Sequence, residues 1–245
     1  HPVDRRQRQM CIRDRLVMSE RISDHLPKTQ KYLPKQRLWY IRANEVLISS
    51  GSIERPLVFG NNDTPGVMLS SAAKEYMKVY GVLVGKKPLI FTNNDSGYET
   101  AIEFKKNGVN PIILDTRSNP SSDIITEAKN LNIEIKFSYV VVAAKGYKKV
   151  KSADIAKISD DKKELFNIEN IECDCICVSG FWTPSIHLAS QSGNKSKFNE
   201  KIDAFVPDKS KQQENTIGSA NGIFTLEETI KAVSYTHLRA HETPA

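Results

Sequence analysis

The sequence predicts an α/β protein in which a strand-helix-strand-helix-strand unit and an antiparallel meander are inserted into a second α/β unit. Three observations predict this architecture: strand and helix periods alternate over residues 88–137, short alternating runs follow over 139–166, and a buried strand ending in a serine-glycine turn stands on each side. With 245 residues, of which 39% are hydrophobic, the chain can bury one large core or two smaller ones.

The segment before the inserted unit is predicted to contain two strands and a helix. Residues 38–50 give a short strand, a turn and a buried strand that ends at Gly51. Residues 69–80 have the apolar spacing of an amphipathic helix, and a proline-glycine turn precedes them. We assign this segment to the first of the two α/β units.

The inserted unit is predicted from Pro88 onward. A strand from Pro88 is followed by a helix over 96–106, the strand "NPIILD", a serine-capped helix that ends near residue 130, and the strand "IEIKFS". Parallel strands joined by helices form half of a doubly wound sheet. The meander extends this unit, and the strand in "IECDCICVSG" leads back to the first one.

Three cysteines, Cys173, Cys175 and Cys177, stand at alternate positions of that last strand. Alternate side chains of a strand point to one face, so we expect all three to face the core. Metal ligands must converge from a turn or from several elements, and no C-x-x-C pair is present. We therefore expect no metal site and no redox-active dithiol.

The two ends of the chain fit no periodicity. Residues 1–15 and 234–245 resemble peptides translated from read-through of sequencing adapters, and we expect both to be non-native. Residues 1–15 carry half of the net charge of +6, so the charge does not indicate a nucleic-acid partner. No window has the roughly 18 apolar residues of a membrane span, and reduced thiols suit a cytoplasmic protein, which is the expected location.

The turn after the first strand of the inserted unit reads T-x-N-x-x-G, with Thr92, Asn94 and Gly97 where a dinucleotide-binding turn has three glycines. Asparagine tolerates a positive φ better than most residues, so Asn93 and Asn94 are candidates for a tight turn. The helix that starts at Ser96 would offer its amino end to a pyrophosphate. An α/β unit without a ligand is the alternative.

Two acidic residues near this turn need separate roles. Asp115 ends the second strand, where an acid accepts hydrogen bonds from the adenosine ribose, which favours NAD over NADP. Arg117, two residues on, is able to accept a 2′-phosphate instead if it swings over the site. Asp95 would repel a pyrophosphate unless it turns to solvent or caps the helix.

The segments on the two sides of the inserted unit have the same sequence pattern. "EVLISSG" before it and "CDCICVSG" after it are buried strands that end at Gly51 and Gly180. This pairing is similar to the two strand-glycine turns of flavoproteins with two dinucleotide-binding domains of Rossmann type. In "GSANG", which resembles their late glycine-aspartate turn, Asn221 stands in place of the acid and precedes Gly222. Arg55, after the first turn, is a candidate phosphate ligand.

A more specific resemblance is to the alpha subunit of heterotetrameric sarcosine oxidase. It is carried by "ERISDHLP", "QRLWYIRANEVLISSGSIERPLVFGNNDTPGVMLSSAAKEYM", "FTNNDSGY", "SGFWTPSIHLASQSG" and "GSANGIFTL", and it covers roughly residues 16–233. The glycine-poor T-N-N-D-S turn is itself part of the resemblance. The turn is therefore a variant typical of that family and not a decayed nucleotide site.

The resemblance implies an activity and an assembly. The family oxidatively demethylates sarcosine, a small amine, to glycine, a one-carbon unit and hydrogen peroxide. It implies NAD in this subunit, FAD and FMN in the complete complex, tetrahydrofolate as acceptor in the full-length subunit, and beta, gamma and delta subunits as partners. We expect the chain to be an internal fragment without activity of its own. No catalytic residue is assigned, since His25 and His187 are expected to be structural.

The resemblance also predicts domain boundaries. Residues 16–86 are expected to be the last part of the first nucleotide-binding domain, 87–178 the inserted NAD domain with its meander, and 179–233 the return to the first domain.

Two other functions remain open. One is an NAD(P)H-dependent FAD oxidoreductase of the pyridine-nucleotide reductase type, and the other is a non-catalytic nucleotide-binding subunit that serves assembly. The amine substrate, and the choice between NAD, FAD and ATP, are left open.

Overall fold

The computed structural model describes residues 10–12, 15–27, 31–210 and 212–242, with side chains for 16–27, 31–210 and 212–234. Contacts divide the chain into two compact units. The terminal unit comprises the described residues up to Ile53 and from Thr183 onward, and the inserted unit comprises Glu54–Trp182.

The described residues form seventeen strands, five α-helices and one 3-10 helix. In chain order they are β1 (Met10–Ile12), β2 (Arg15–Arg21), β3 (Gln36–Ile41), β4 (Val46–Ile48), β5 (Ser52–Glu54), β6 (Val67–Leu69), α1 (Ser70–Tyr80), β7 (Pro88–Thr92), α2 (Ser96–Lys106), β8 (Ile112–Asp115), α3 (Asp123–Asn130), β9 (Glu134–Phe137), β10 (Tyr139–Lys145), β11 (Ser152–Ile158), β12 (Leu165–Glu172), β13 (Cys175–Ser179), β14 (Trp182–Pro184), α4 (His187–Gln191), β15 (Ser196–Asn199), β16 (Ala204–Pro207), β17 (Glu214–Thr216), the 3-10 helix Gly218–Asn221 and α5 (Leu226–Glu242).

The inserted unit is built on a five-stranded parallel sheet in the order β6-β13-β7-β8-β9. Helices α1, α2 and α3 pack on one face, where Tyr98, Phe104 and Ile125 enter the core. The meander β10-β11-β12 covers the other face, where Ile155 packs with Phe91. Because both faces are covered, every residue of β7 and β13 is buried, as expected for strands that read as continuous apolar runs.

The predicted α/β class, the alternating unit and the meander are confirmed. The helix predicted over 96–106 is α2, and the helix predicted over 69–80 is α1. The compact unit also contains β6, which pairs with β13, and α1, which packs against α2, and it spans Glu54–Trp182. The domain assignments themselves remain predictions.

The three cysteines do not share one face. Strand β13 starts at Cys175, so only Cys175 and Cys177 alternate along it, and both enter the core under the helices. Cys173 precedes the strand and packs in the core under the meander. The expectation of a single face was wrong because regular alternation begins two residues later than the sequence pattern indicated.

We predict that these three thiols resist modification in the folded protein. Each is at most 2% exposed, and burial, with smaller contributions from neighbouring charges, raises the pKa of Cys173 to about 12. The Cys175 thiol and burial raise the pKa of Cys177 as well. Labelling with a maleimide at pH 8, read by mass spectrometry, should leave all three unmodified until denaturant is added. Rapid labelling of Cys173 without denaturant would contradict this burial.

The terminal unit is built of small sheets, whose strands come from both ends of the described chain. Strands β1, β2 and β3 form an antiparallel sheet, β4 pairs in parallel with β17, and β15 pairs with β16. Strands β5 and β14, in which the chain passes from one unit to the other, also pair.

Parts of both predicted non-native ends lie in regular structure. Met10–Ile12 pairs with β2, and α5 continues from Leu226 to Glu242. The absence of a sequence period therefore did not exclude a strand or a helix there. Residues 1–9, 13–14 and 243–245 lie outside the described residues, and the non-native origin of both ends remains a prediction.

Candidate functional site

The candidate site lies at the carboxyl edge of the parallel sheet. Thr92 is in register with Asp115 on one side and with Ser179 on the other, so β8, β7 and β13 end together. Chain order reverses between β7 and β13, because β8 and β9 follow β7 on one side while β13 lies on the other. In open α/β sheets this switch point is where ligands bind.

The turn between β7 and α2 is closed by a threonine side chain. The fully buried Thr92 hydroxyl donates to the carbonyl of Asn94 (2.8 Å) and accepts from its N–H (3.1 Å). A Cβ on Gly97 would lie 2.7 Å from both Cβ and Oγ1 of Thr92, so the start of α2 approaches the strand as closely as glycine allows. Thr92 and Gly97 thus provide the tight turn that the sequence predicted.

The asparagines act through their side chains and not through a positive φ. Neither Asn93 nor Asn94 has a positive φ, so that expectation was wrong. Asn94 is 7% exposed, and its Nδ2 donates to the Ser179 carbonyl (3.1 Å), while its Oδ1 accepts from the Ser96 N–H (2.9 Å). It joins the turn to β13 and caps α2, a role that Asp95 does not take.

Asp115 is fully buried at the end of β8. Its carboxylate accepts from the Tyr98 hydroxyl (2.7 Å), from the Arg117 backbone N–H (2.9 Å) and from Nε and Nη2 of Arg117 (3.0 and 2.8 Å). Burial, and then the hydrogen bond to Asp115, raises the pKa of Tyr98. The expected contact of Asp115 with a ribose is not available in this arrangement, because Arg117 covers the carboxylate.

Arg117 also forms an ion pair with Asp95, whose Oδ1 lies 2.8 Å from Nη2. Burial lowers the pKa of Arg117, but the contacts with Asp115 and Asp95 outweigh burial and raise it. The guanidinium is therefore held between an inner and an outer carboxylate. A pocket of about 430 Å³ opens beside it, with walls from residues 116–120 and 158–160.

The other predicted ligands lie in two places. Arg55 and Gly180 are in the inserted unit, where the Gly180 N–H donates to the Arg55 carbonyl (2.7 Å) and a Cβ on Gly180 would lie 2.7 Å from the same oxygen. Gly51, Asn221 and Gly222 are in the terminal unit, and both glycines have a positive φ. Asn221 borders a polar pocket of about 300 Å³. A ligand role for these five residues remains a prediction.

Sequence reasoning missed two residues of the site, Tyr98 and Ser179. Tyr98 carries no signal except its helical position, whereas Ser179 ends a strand in the noted "VSG" turn and meets the Ser96 hydroxyl at 2.8 Å. The Trp182 Nε1 lies 3.4 Å from the same Ser96 oxygen. Within the described residues, no three His, Cys, Asp or Glu side chains are grouped as metal ligands, and no helix is long and apolar enough to span a bilayer.

The comparisons with known proteins agree with this architecture. No protein-family profile matches the chain. Sarcosine oxidase subunit alpha of Corynebacterium sp. strain P-1 is 33% identical over 192 residues, and that of Rhizobium meliloti strain 1021 is 35% identical over 188 residues, which are 78% and 76% of this chain. The chain spans about a fifth of the length of these relatives.

Two solved structures show the same fold. Thioredoxin reductase of T. acidophilum superposes with a TM-score of 0.64 at 16% identity, covering 90% of this chain and 67% of its own. L-Proline dehydrogenase of P. horikoshii superposes with a TM-score of 0.54 at 19% identity, covering 87% and 35%. The chain thus has the same Rossmann-like fold as these two proteins, and over about three quarters of its length it is similar in sequence to sarcosine oxidase subunit alpha.

Proposed function

We propose that the inserted unit binds a dinucleotide, preferably NAD, with its pyrophosphate at the turn formed by residues 92–97. The observation that supports this most directly is the closure of the turn: Thr92 bonds the backbone of Asn94, and only glycine fits at position 97. Such a turn lets a phosphate approach the backbone at the amino end of α2, where the helix dipole is positive.

The charges around the turn are compatible with a pyrophosphate. Asp95 precedes α2 and would repel phosphate oxygens, but its Oδ1 is paired with Arg117. Asp115 is buried behind the same guanidinium. One arginine is shared by the two carboxylates, so it offsets one of their two negative charges.

The larger protein is proposed to be an oxidoreductase of the sarcosine oxidase type. Its alpha subunit would hold NAD in the region described above and would work with beta, gamma and delta subunits in the cytoplasm, on a small amine substrate. FAD and FMN in the complex, and tetrahydrofolate as acceptor, belong to the same proposal. Homology to two named alpha subunits supports it.

An NAD(P)H-dependent FAD oxidoreductase is the second candidate, and the fold shared with thioredoxin reductase favours it. The cysteines of the "CDCIC" run offer this candidate no redox pair, because Cys175 and Cys177 are buried in the core. Reduction of a bound flavin by NADH in the complete subunit alone would favour this candidate over the oxidase. A subunit that binds nucleotide and shows no electron transfer in any complex would support the assembly role.

The binding site is tested by adding a negative charge at the turn. Ser96→Glu places a carboxylate at the start of α2, and Ser121→Glu places the same charge at an exposed position before α3. Calorimetric titration of the complete subunit with NAD should show binding weakened about tenfold or more by the first change, because one lost charge-assisted contact has that effect. The second change should leave it unaltered. Equal affinities in the two variants would contradict a pyrophosphate at this turn.

A further inference from the structure

The Arg117 guanidinium has two carboxylate partners that differ in exposure. Nη2 lies 2.8 Å from Oδ2 of Asp115 and 2.8 Å from Oδ1 of Asp95. The Asp115 side chain is fully buried, whereas the side chains of Asp95 and Arg117 are 44% and 32% exposed. Asp115 therefore fixes the inner side of the guanidinium, and Asp95 occupies part of its outer side.

This ion pair stands where a dinucleotide is distinguished from its 2′-phosphorylated form. In a parallel α/β unit the adenosine ribose lies at the end of the second strand, which is β8 in this sheet. A neutral 2′-hydroxyl can donate to an exposed carboxylate. A 2′-phosphate needs a cation and is repelled by the same carboxylate.

The other charges that line the neighbouring pocket favour neither the dinucleotide nor its 2′-phosphorylated form. Asp160 and Lys162, both on the turn between β11 and β12, line the pocket beside Arg117 and carry opposite charges. The acid that touches the arginine from outside is Asp95. Its removal would free the outer side of a guanidinium that Asp115 still holds in place.

We propose that Asp95, and not Asp115, makes the site prefer NAD to NADP by occupying the outer side of Arg117. Asp115 is a positioning residue, since it acts through Arg117 and does not touch the ligand. This inference rests on the proposed dinucleotide site. It also gives a role to an acid that would otherwise stand unfavourably close to a pyrophosphate.

The test compares Asp95→Asn with Asp63→Asn in the complete subunit. Asp63 lies on the exposed turn before β6, so its change removes the same charge from the same unit. Calorimetric titration of Asp95→Asn should show the ratio of NADP affinity to NAD affinity increased about tenfold or more, as expected for one new charge-assisted phosphate contact. Asp63→Asn should leave the ratio of the two affinities unchanged. A double variant that carries both Asp95→Asn and Arg117→Gln should lose the gain in NADP affinity.

The outcomes separate this inference from the proposed function. If the unaltered subunit binds NAD and the ratio does not change in Asp95→Asn, Asp95 does not select the nucleotide and the inference is wrong. A gain that persists after Arg117→Gln also overturns it. If the unaltered subunit binds neither nucleotide, the proposed function fails and the inference fails with it.

Discussion

Gly97→Ala is expected to destabilise the inserted unit by about 3 kcal/mol, the upper part of the usual cost of overpacking. The new Cβ would lie 2.7 Å from two atoms of Thr92, a fully buried side chain that bonds both the N–H and the carbonyl of Asn94 and has little room to move. Position 97 is inside α2, where alanine is intrinsically better than glycine by about 1 kcal/mol. The clash must therefore outweigh a favourable propensity.

Gly108→Ala is the matched control for this change. Gly108 follows α2 with a φ of +78°, and a Cβ there meets nothing within 4 Å. Only backbone strain opposes the substitution, at about 1 kcal/mol. Chemical unfolding followed by circular dichroism measures both. A Gly97→Ala variant as stable as Gly108→Ala would mean that the turn adapts, and that glycine is not required for the close approach.

Asp115→Ala is expected to cost about 3 kcal/mol or more in the free energy of unfolding. The change removes a fully buried carboxylate and leaves the Tyr98 hydroxyl and the inner side of Arg117 without their acceptor. Breaking one side of a buried charged pair costs about 3–5 kcal/mol, and the partial exposure of Arg117 places the value at the lower end. NAD affinity should fall as well, because Arg117 loses its position.

Two neighbouring variants rank the contacts of this network. Tyr98→Phe removes a single hydrogen bond and should cost about 1 kcal/mol. Asp95→Asn removes an exposed ion pair and should cost less than about 1 kcal/mol. Unfolding midpoints should follow the order Asp115→Ala, Tyr98→Phe, Asp95→Asn, from the least to the most stable. If Asp115→Ala is no less stable than Tyr98→Phe, the buried network does not stabilise the unit.

The elements of the inserted unit were predictable from sequence because apolar period and chain breakers agree there. Helix α2 starts and ends where its period and Gly108 indicated, and β8 ends at Asp115 as expected. Strand β15 was missed. Its residues Ser196–Asn199 are mainly polar and exposed, so its pairing with β16, which includes a contact between the exposed rings of Phe198 and Phe205, leaves no pattern of buried side chains.

The arrangement of the site was less predictable than its elements. "LDTR" shows an acid and a base two residues apart, but not which of them is buried. The structure answers this through local geometry: the Arg117 N–H donates to Asp115 Oδ1, which turns the chain back over the carboxylate. The contacts of Tyr98 and Asp95 with this pair cross from α2 to β8, and such contacts cannot be read from the spacing of residues.

Strand β13 lies between β6 and β7, although it follows both along the chain. Ile176 pairs with Val67 on one side and with Leu89 on the other. During synthesis, β6 and β7 therefore emerge long before the strand that joins them, and both keep an unpaired edge until residue 179 has been added. Translation takes several seconds over that distance, at about 5–20 residues per second. Exposed apolar strands can pair with other chains, so a nascent polypeptide carrying this unit should depend on chaperones until β13 has left the ribosome.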